Sequence, residues 1–437
     1  MYLYSIPRQL FLMAINEFFL HFLWKERLYD PESLVTDNNQ MVEIINPGTE
    51  NKDAGPDFMD ARIRIGGTLW AGNVEIHLRA SDWMAHGHYK DPLYDSVILH
   101  VVGENDQTIF SAGGDALPVM TLIYDQKLEE NYLSLKKNRE WVACRPYLHR
   151  FDPFRIRMFL GQLVVERLEK YTSEIEAEMQ RTKNDWEEVL YRFLARGFGL
   201  RVNAHPFLLL ARSLPLSYLA KHRDNLRLVE ALFFGQAGWL QSELFGDPYY
   251  EALKKDYHFV QQKFSLQPLP THIWRFLRLR PSNFPTVRLA QFARLIHENE
   301  HLYSRIMEAR DLNTLREIFK VAAGEYWETH YVFNKPAKSQ KKTFGTQAFQ
   351  TLLINVIIPL YFIYGKRTGS DEFREKALDL LEQLPPEKNQ IIRKWAEAGI
   401  GADSAFYSQA LVQLKNEYCN PGRCLECRIG RKLIINL

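Results

Sequence analysis

The sequence predicts an α/β domain followed by a mostly α-helical domain, and two features of its patterning carry that expectation. Up to about residue 135, short runs rich in β-branched residues alternate with Gly, Pro, Asp and Asn, the punctuation of strands and turns. From about Phe151 onward, apolar residues recur at helical spacing between long charged faces, as in FRIRMFLGQLVVERLEK and NDWEEVLYRFLARGF. A chain of 437 residues also exceeds what one hydrophobic core usually fills. Two domains are therefore expected, 1–135 and 150–437, divided where KKNRE and Pro146 interrupt the pattern.

In the first domain a helix is expected from about Gln9 to Arg27. Its apolar stretch is broken by Arg8, Gln9, Asn16 and Glu17 and is not followed by a small-residue cleavage site, so it reads as a helix rather than a signal peptide. Strands follow at Met41 to Ile45, Ala61 to Ile65, Leu69 to Leu78, Ser96 to Val102 and Val119 to Tyr124. In the helical half, loops fall at 235–238, 268–270, 281–285 and 385–386. The segment Phe344 to Tyr364 is apolar, but Gln347, Gln350 and Asn355 interrupt it and Pro359 should kink it. It reads as a buried core helix, because its unbroken apolar part is shorter than the ~20 residues a bilayer needs.

Composition narrows the function classes. Hydrophobic residues at 46%, charged residues at 25% and a formal charge of +2 are ordinary values for a globular protein, so any basic surface must be local. A soluble, cytoplasmic protein with no membrane partner is expected. Gly197-Phe-Gly199 and Gly235-Gln-Ala-Gly238 lack phosphate-loop or dinucleotide spacing and read as helix C-caps, so no nucleotide cofactor is implied.

The residues with most chemical content lie between Asp53 and Leu78. Gly66-Gly67 suits a tight hairpin turn between two strands. Side chains alternate across a strand, so if Val74, Ile76 and Leu78 face the core, Glu75 and His77 share the other face. Nine residues run from Asp57 to the turn and about as many run back, which lets Asp57 and Glu75 converge. Converging carboxylates suit Mg²⁺ or Mn²⁺, and His77 could orient a water or bind the ion. The plain alternative for Asp57 is a turn-forming residue after Pro56.

Pro56-Asp57, a hairpin and then Glu75-Ile-His77 resemble the signature of the PD-(D/E)xK nuclease superfamily, with histidine at the usual lysine position. The resemblance implies a restriction-endonuclease-like α/β fold and metal-dependent hydrolysis of nucleic-acid phosphodiesters, DNA before RNA. It also implies a metal-site acid on the preceding helix, where Glu17 stands in chain order, although a solvated helix face explains Glu17 equally well. Glu17, Asp57 and Glu75 would then hold the ion and His77 would position water. A nuclease fold that has lost its chemistry and only binds nucleic acid or protein is the non-enzyme alternative. The segment from Gly55 through RLRPSNFPTVRLAQFA to the C-terminal cysteines also resembles an uncharacterised bacterial family classed as a domain of unknown function.

A second enzymatic reading comes from histidine density. His77, His86, His88 and His100 fall within twenty-four residues and could form a transition-metal hydrolase site, with Asp82 or Asp91 as a further ligand. The plainer readings are a satisfied core histidine for His100 and an exposed loop around Gly87 for His86 and His88. In the helical half, Arg275, Arg278, Arg280 and Arg288 cluster with aromatic residues around a Pro-bounded turn. They suit contact with nucleic acid or ordinary interhelical ion pairs.

Cys419, Cys424 and Cys427 form a Cys-x4-Cys-x2-Cys tail, and Cys144 is the remaining cysteine. Four cysteines spaced this way are not a disulfide framework. Together they could hold Zn²⁺ or an iron–sulfur cluster.

Overall fold

The computed structural model describes residues 15–111, 113–242 and 246–436. The chain forms two units. One contains residues up to Ile156 together with those from Leu414 onward, and the other is Arg157–Gln413. The first is α/β and the second mostly helical. The tail from Leu414 thus groups with the first unit, whereas the sequence places it in a 150–437 domain.

The first unit opens with helix α1, Glu17–Lys25, which buries Phe19, Leu20, Phe22, Leu23 and Trp24. The part of the expected helix at 9–14 lies outside the described residues. Strands β1 (Val42–Asn46), β2 (Thr49–Glu50), β3 (Phe58–Ile65), β4 (Thr68–Arg79), β5 (Val97–Glu104) and β6 (Val119–Thr121) form one sheet in the order β1-β3-β4-β5-β6, with β2 beside β3. β1, β3 and β4 run antiparallel, and β4, β5 and β6 run parallel. All five strands expected from the sequence are present.

The hairpin between β3 and β4 turns at Gly66 and Gly67, whose φ angles of 53° and 90° belong to a turn that L side chains resist. Val74 pairs with Phe58, so Glu75 comes opposite Asp57. Parallel pairing begins at Asn73, where a Cβ on neighbouring Gly72 would meet Ile98 Cγ2 at 2.4 Å and Ser96 O at 2.6 Å. That glycine lets the two backbones approach. From Asn73 to His77, β4 is buried on both faces, as is usual for a strand inside a parallel region.

The β4-to-β5 connection carries a one-turn helix α2 (Asp82–Ala85) and two 3₁₀ turns, His88–Lys90 and Pro92–Tyr94. Trp83, Ala80, Val97, Val102, Ile109, Leu117 and Val119 form a core cluster beneath this crossover, with Tyr89 and Tyr94 packed against it. Helix α3 (Gln126–Lys137) follows the sheet. The chain returns as helix Arg428–Asn436 beside α3, where Asn131 Nδ2 donates to Ile434 O at 3.0 Å and Arg431 pairs with Glu26.

The second unit is built on helices Trp186–Phe198, Leu226–Gln236 and Pro285–Glu298, around the rings of Tyr191, Phe198, Phe233 and Phe292. Asp185, Asp247, Asp311 and Asn389 cap helix starts by accepting backbone N–H groups. Buried Glu178 pairs with Arg181, Arg192 and Arg212. Glu230, also buried, accepts from Tyr249 Oη at 2.7 Å through Oε2, while Oε1 has no hydrogen-bond partner. Desolvation pushes its carboxyl up to about 7, against the opposing effects of the Tyr249 hydrogen bond and the Arg294 charge.

Two sequence expectations change in this unit. Gly235 lies inside helix Leu226–Gln236 rather than in a loop, where a Cβ would fall 2.0 Å from the Tyr257 ring. Thr346–Thr368 is helical, long and apolar enough to cross a membrane, and 78% of its apolar window is buried inside the fold. A π-helical stretch at Leu353–Ile357 immediately precedes Pro359, which accommodates a residue with no N–H to donate.

Candidate metal centre

The β3–β4 hairpin, the β4–β5 crossover and α1 meet at one place. Glu75 Oε2 accepts the Asp57 N–H at 3.1 Å, and Asp57 Oδ2 accepts the Ile76 N–H at 2.9 Å. This reciprocal pair fixes the two carboxylates side by side. His77, two residues along β4 and on the same face as Glu75, sits with its Nε2 3.6 Å from Glu75 Oε1.

The crossover supplies two more imidazoles. His86 ends the α2 turn, and Gly87, at φ 78°, reverses the backbone so that His88 also points at the sheet. His77 Nε2 lies 3.0 Å from His86 Nδ1, and His88 Nε2 lies 3.3 Å from Glu75 Oε1. One ligand atom from each of His77, His86 and His88 falls within 4.8 Å of the others. His100, on β5, stands behind His77, with its Nε2 2.8 Å from His77 Nδ1. It supports the cluster from behind. Asp82 and Asp91 are engaged elsewhere, accepting the N–H groups of Arg79 and Leu93.

Helix α1 adds the remaining groups. Glu17 lies close enough for its charge to interact with His86, His21 and Asp57, and burial raises its pKa. His21, one turn further on the same face, places Nε2 3.3 Å from Asp57 Oδ2. The sequence reading missed this histidine. The signal available was the i, i+4 spacing of Glu17 and His21, which puts both on one helical face.

The environment is apolar and aromatic. Tyr94 stacks on His88 with ring centroids 3.9 Å apart, and Trp83 approaches both His88 and His100. Desolvation lowers the pKa of His77 to about 2, helped by His100, His86 and His88, and that of His100 to about 3. It lowers His88 as well. These imidazoles are neutral near pH 7. Desolvation beside Asp57 pushes the Glu75 carboxyl up to about 9. His21 goes the other way: burial opposes its charge, yet the adjoining Asp57 carboxylate, by hydrogen bond and charge, raises it above its ordinary value.

This donor set fits a divalent cation. Neutral imidazoles offer lone pairs, and a buried carboxyl that keeps its proton to about 9 has a site for a positive charge. The buried nitrogens His88 Nε2 and His100 Nδ1 have no hydrogen-bond partner. The 3.0 Å separation of His77 Nε2 and His86 Nδ1 matches two ligands on one ion at metal–nitrogen distances of about 2.1 Å.

In the other unit, Arg275, Arg278 and Arg280 are exposed on a turn segment, but Arg288 is buried. Its guanidinium donates to Gln291 Oε1 and Asn283 Oδ1 and lies over the Phe344 ring, and burial lowers its pKa to about 10. Arg288 is therefore a scaffold residue and not a surface phosphate contact.

A sequence profile described as "Protein of unknown function (DUF2851)" matches residues 17–390, from Glu17 through the whole centre and short of the cysteine tail. No curated protein and no solved structure matches the chain.

Proposed function

The chain belongs to the DUF2851 family, and we propose that its first unit is a metal-dependent hydrolase of nucleic-acid phosphodiesters whose divalent ion is held by Glu75, His77, His86 and His88. The observation that carries this reading is the convergence of the His77, His86 and His88 imidazoles with Glu75 Oε1 in a site flanked by Asp57 and Glu17. Three nitrogens to one or two oxygens suits Mn²⁺, Fe²⁺ or Zn²⁺ better than Mg²⁺, which takes oxygen ligands. When bound, such an ion lowers the pKa of a water and polarises a phosphoryl oxygen.

The protein groups have separate tasks. His100 Nε2, bonded to His77 Nδ1, holds the His77 ring in place, as outer partners hold metal-binding imidazoles. Asp57 raises the proton affinity of His21, and we assign protonated His21 as the group that gives a proton to a departing oxygen. In this reading His21 supplies the charge that lysine provides in the nuclease signature, and His77 serves as a ligand. Trp83 and Tyr94 pack against His88 and shield that imidazole from water. The acid-bearing helix, the hairpin, Pro56-Asp57 and Glu75-x-His77 meeting in one place support a phosphodiester as the substrate.

The test is hydrolysis of mixed DNA and RNA substrates by the full chain with Mn²⁺, Zn²⁺ or Mg²⁺, comparing wild type with Asp57→Ala and Glu75→Ala. Turnover with Mn²⁺ or Zn²⁺ that falls at least about a hundredfold in both variants is expected. Equal turnover in all three proteins would overturn the catalytic assignment. Tight nucleic-acid binding without turnover in wild type would make the unit a binding module.

A further inference from the structure

A second cluster of soft ligands lies in the first unit, around a cavity that none of the four histidines lines. Cys144, Cys419, Cys424 and Cys427 all line one cavity of about 360 Å³, together with Tyr132 and Trp141. They come from opposite ends of the unit's sequence, and none is in a disulfide.

Each is delivered by a specific backbone device. Cys144 precedes the 3₁₀ turn Arg145–Arg150. Cys419 closes a π-helical turn, Lys415–Cys419, a distortion frequent at functional sites. Cys424 follows Gly422, whose φ of 73° reverses the chain. Cys427 immediately precedes helix Arg428–Asn436, and the N–H groups of Ile429 and Gly430 point at its sulfur. A Cβ on Gly430 would lie 2.2 Å from Cys424 O, so the glycine lets the helix start close on the cysteine loop.

We propose that these four cysteines hold an iron–sulfur cluster, a metal centre separate from the histidine site and independent of the hydrolytic reading. Four thiols around a cavity are the ligand count of such a cluster. N–H groups aimed at a sulfur are what tunes and steadies a metal-bound thiolate. A single zinc would draw four sulfurs about 2.3 Å from itself, so within about 4 Å of each other. Among the described residues no trio of these sulfurs is gathered within the 4.8 Å that encloses the histidine nitrogens. The cavity has room for a multi-atom core. The cluster would clasp the returning tail to the segment after α3.

The test is the full chain purified anaerobically, with and without reconstitution by ferrous iron and sulfide, and analysed for iron, acid-labile sulfide and zinc. A brown protein with about four iron and four sulfide per chain is expected, and Cys144→Ser should lose most of both. One zinc per chain in colourless protein would overturn the cluster. So would the absence of iron and sulfide after reconstitution of folded wild type, a result that needs no variant to fold. Full loading of Cys144→Ser would refute Cys144 as a ligand and with it the four-cysteine centre.

Discussion

Glu230→Gln tests whether the helical unit carries a buried carboxyl that opposes its own ionisation. Desolvation moves the Glu230 pKa from 4.5 to about 7, with the Tyr249 hydrogen bond and Arg294 acting against the shift. A folded-state pKa above the unfolded value means that the folded form holds the proton more tightly. The associated stability is fully present below pH 4.5 and is lost as pH rises through 7. At 1.36 kcal/mol per unit, the span from 4.5 to 7 corresponds to about 3 kcal/mol. Glutamine keeps an acceptor for Tyr249 Oη and never ionises. In a unit of 257 residues, the span Arg157–Gln413, each kcal/mol moves the melting temperature by about 2–4 °C. Thermal melts of wild type and Glu230→Gln from pH 4.5 to 8 should therefore diverge, with the variant melting roughly 6 °C or more above wild type at pH 8. Near pH 4.5 the two should coincide or the variant should melt slightly lower. Parallel curves across the range would refute the reasoning.

Two further outcomes follow from the geometry. Mn²⁺ at a hundredfold excess over its Kd should stabilise the first unit by about 2.7 kcal/mol in calorimetry, and His88→Ala should remove most of that gain; an equal gain in the variant would rule His88 out as a ligand. Arg288→Ala should cost about 3 kcal/mol in urea unfolding, because it leaves buried Gln291 Oε1 and half-buried Asn283 Oδ1 without their donor. A loss below ~1 kcal/mol would mean that these acceptors find other partners.

Much of the first unit was legible because its signals are local. The β-branched runs and the Gly66-Gly67 turn are short-range features, and strand period placed Glu75 and His77 on one face. What depended on distance was harder to read. That His86 and His88 face the sheet follows from the positive φ of Gly87 and from Tyr94 packing on His88, neither visible as a pattern. Arg288 looked like a surface cation because Phe344, which covers it, lies far along the chain. The point where the chain re-enters the first unit is equally silent. Helix Ala405–Leu414 runs straight into the π turn Lys415–Cys419, without the glycine or proline that marks a boundary.

That re-entry has a consequence for biosynthesis. The strands bearing the histidines leave the ribosome early, but their unit lacks the Leu414-onward segment until 257 intervening residues have been made, Arg157 to Gln413. At ordinary elongation rates this is roughly 13–50 s. Throughout that interval the face of α3 that will meet helix Arg428–Asn436 is uncovered, and Cys144 waits without its three partners. The helical unit can therefore reach its native state before the α/β unit does, although it begins later. A chain interrupted before Leu414 would present the histidine centre in a unit that lacks its final segment.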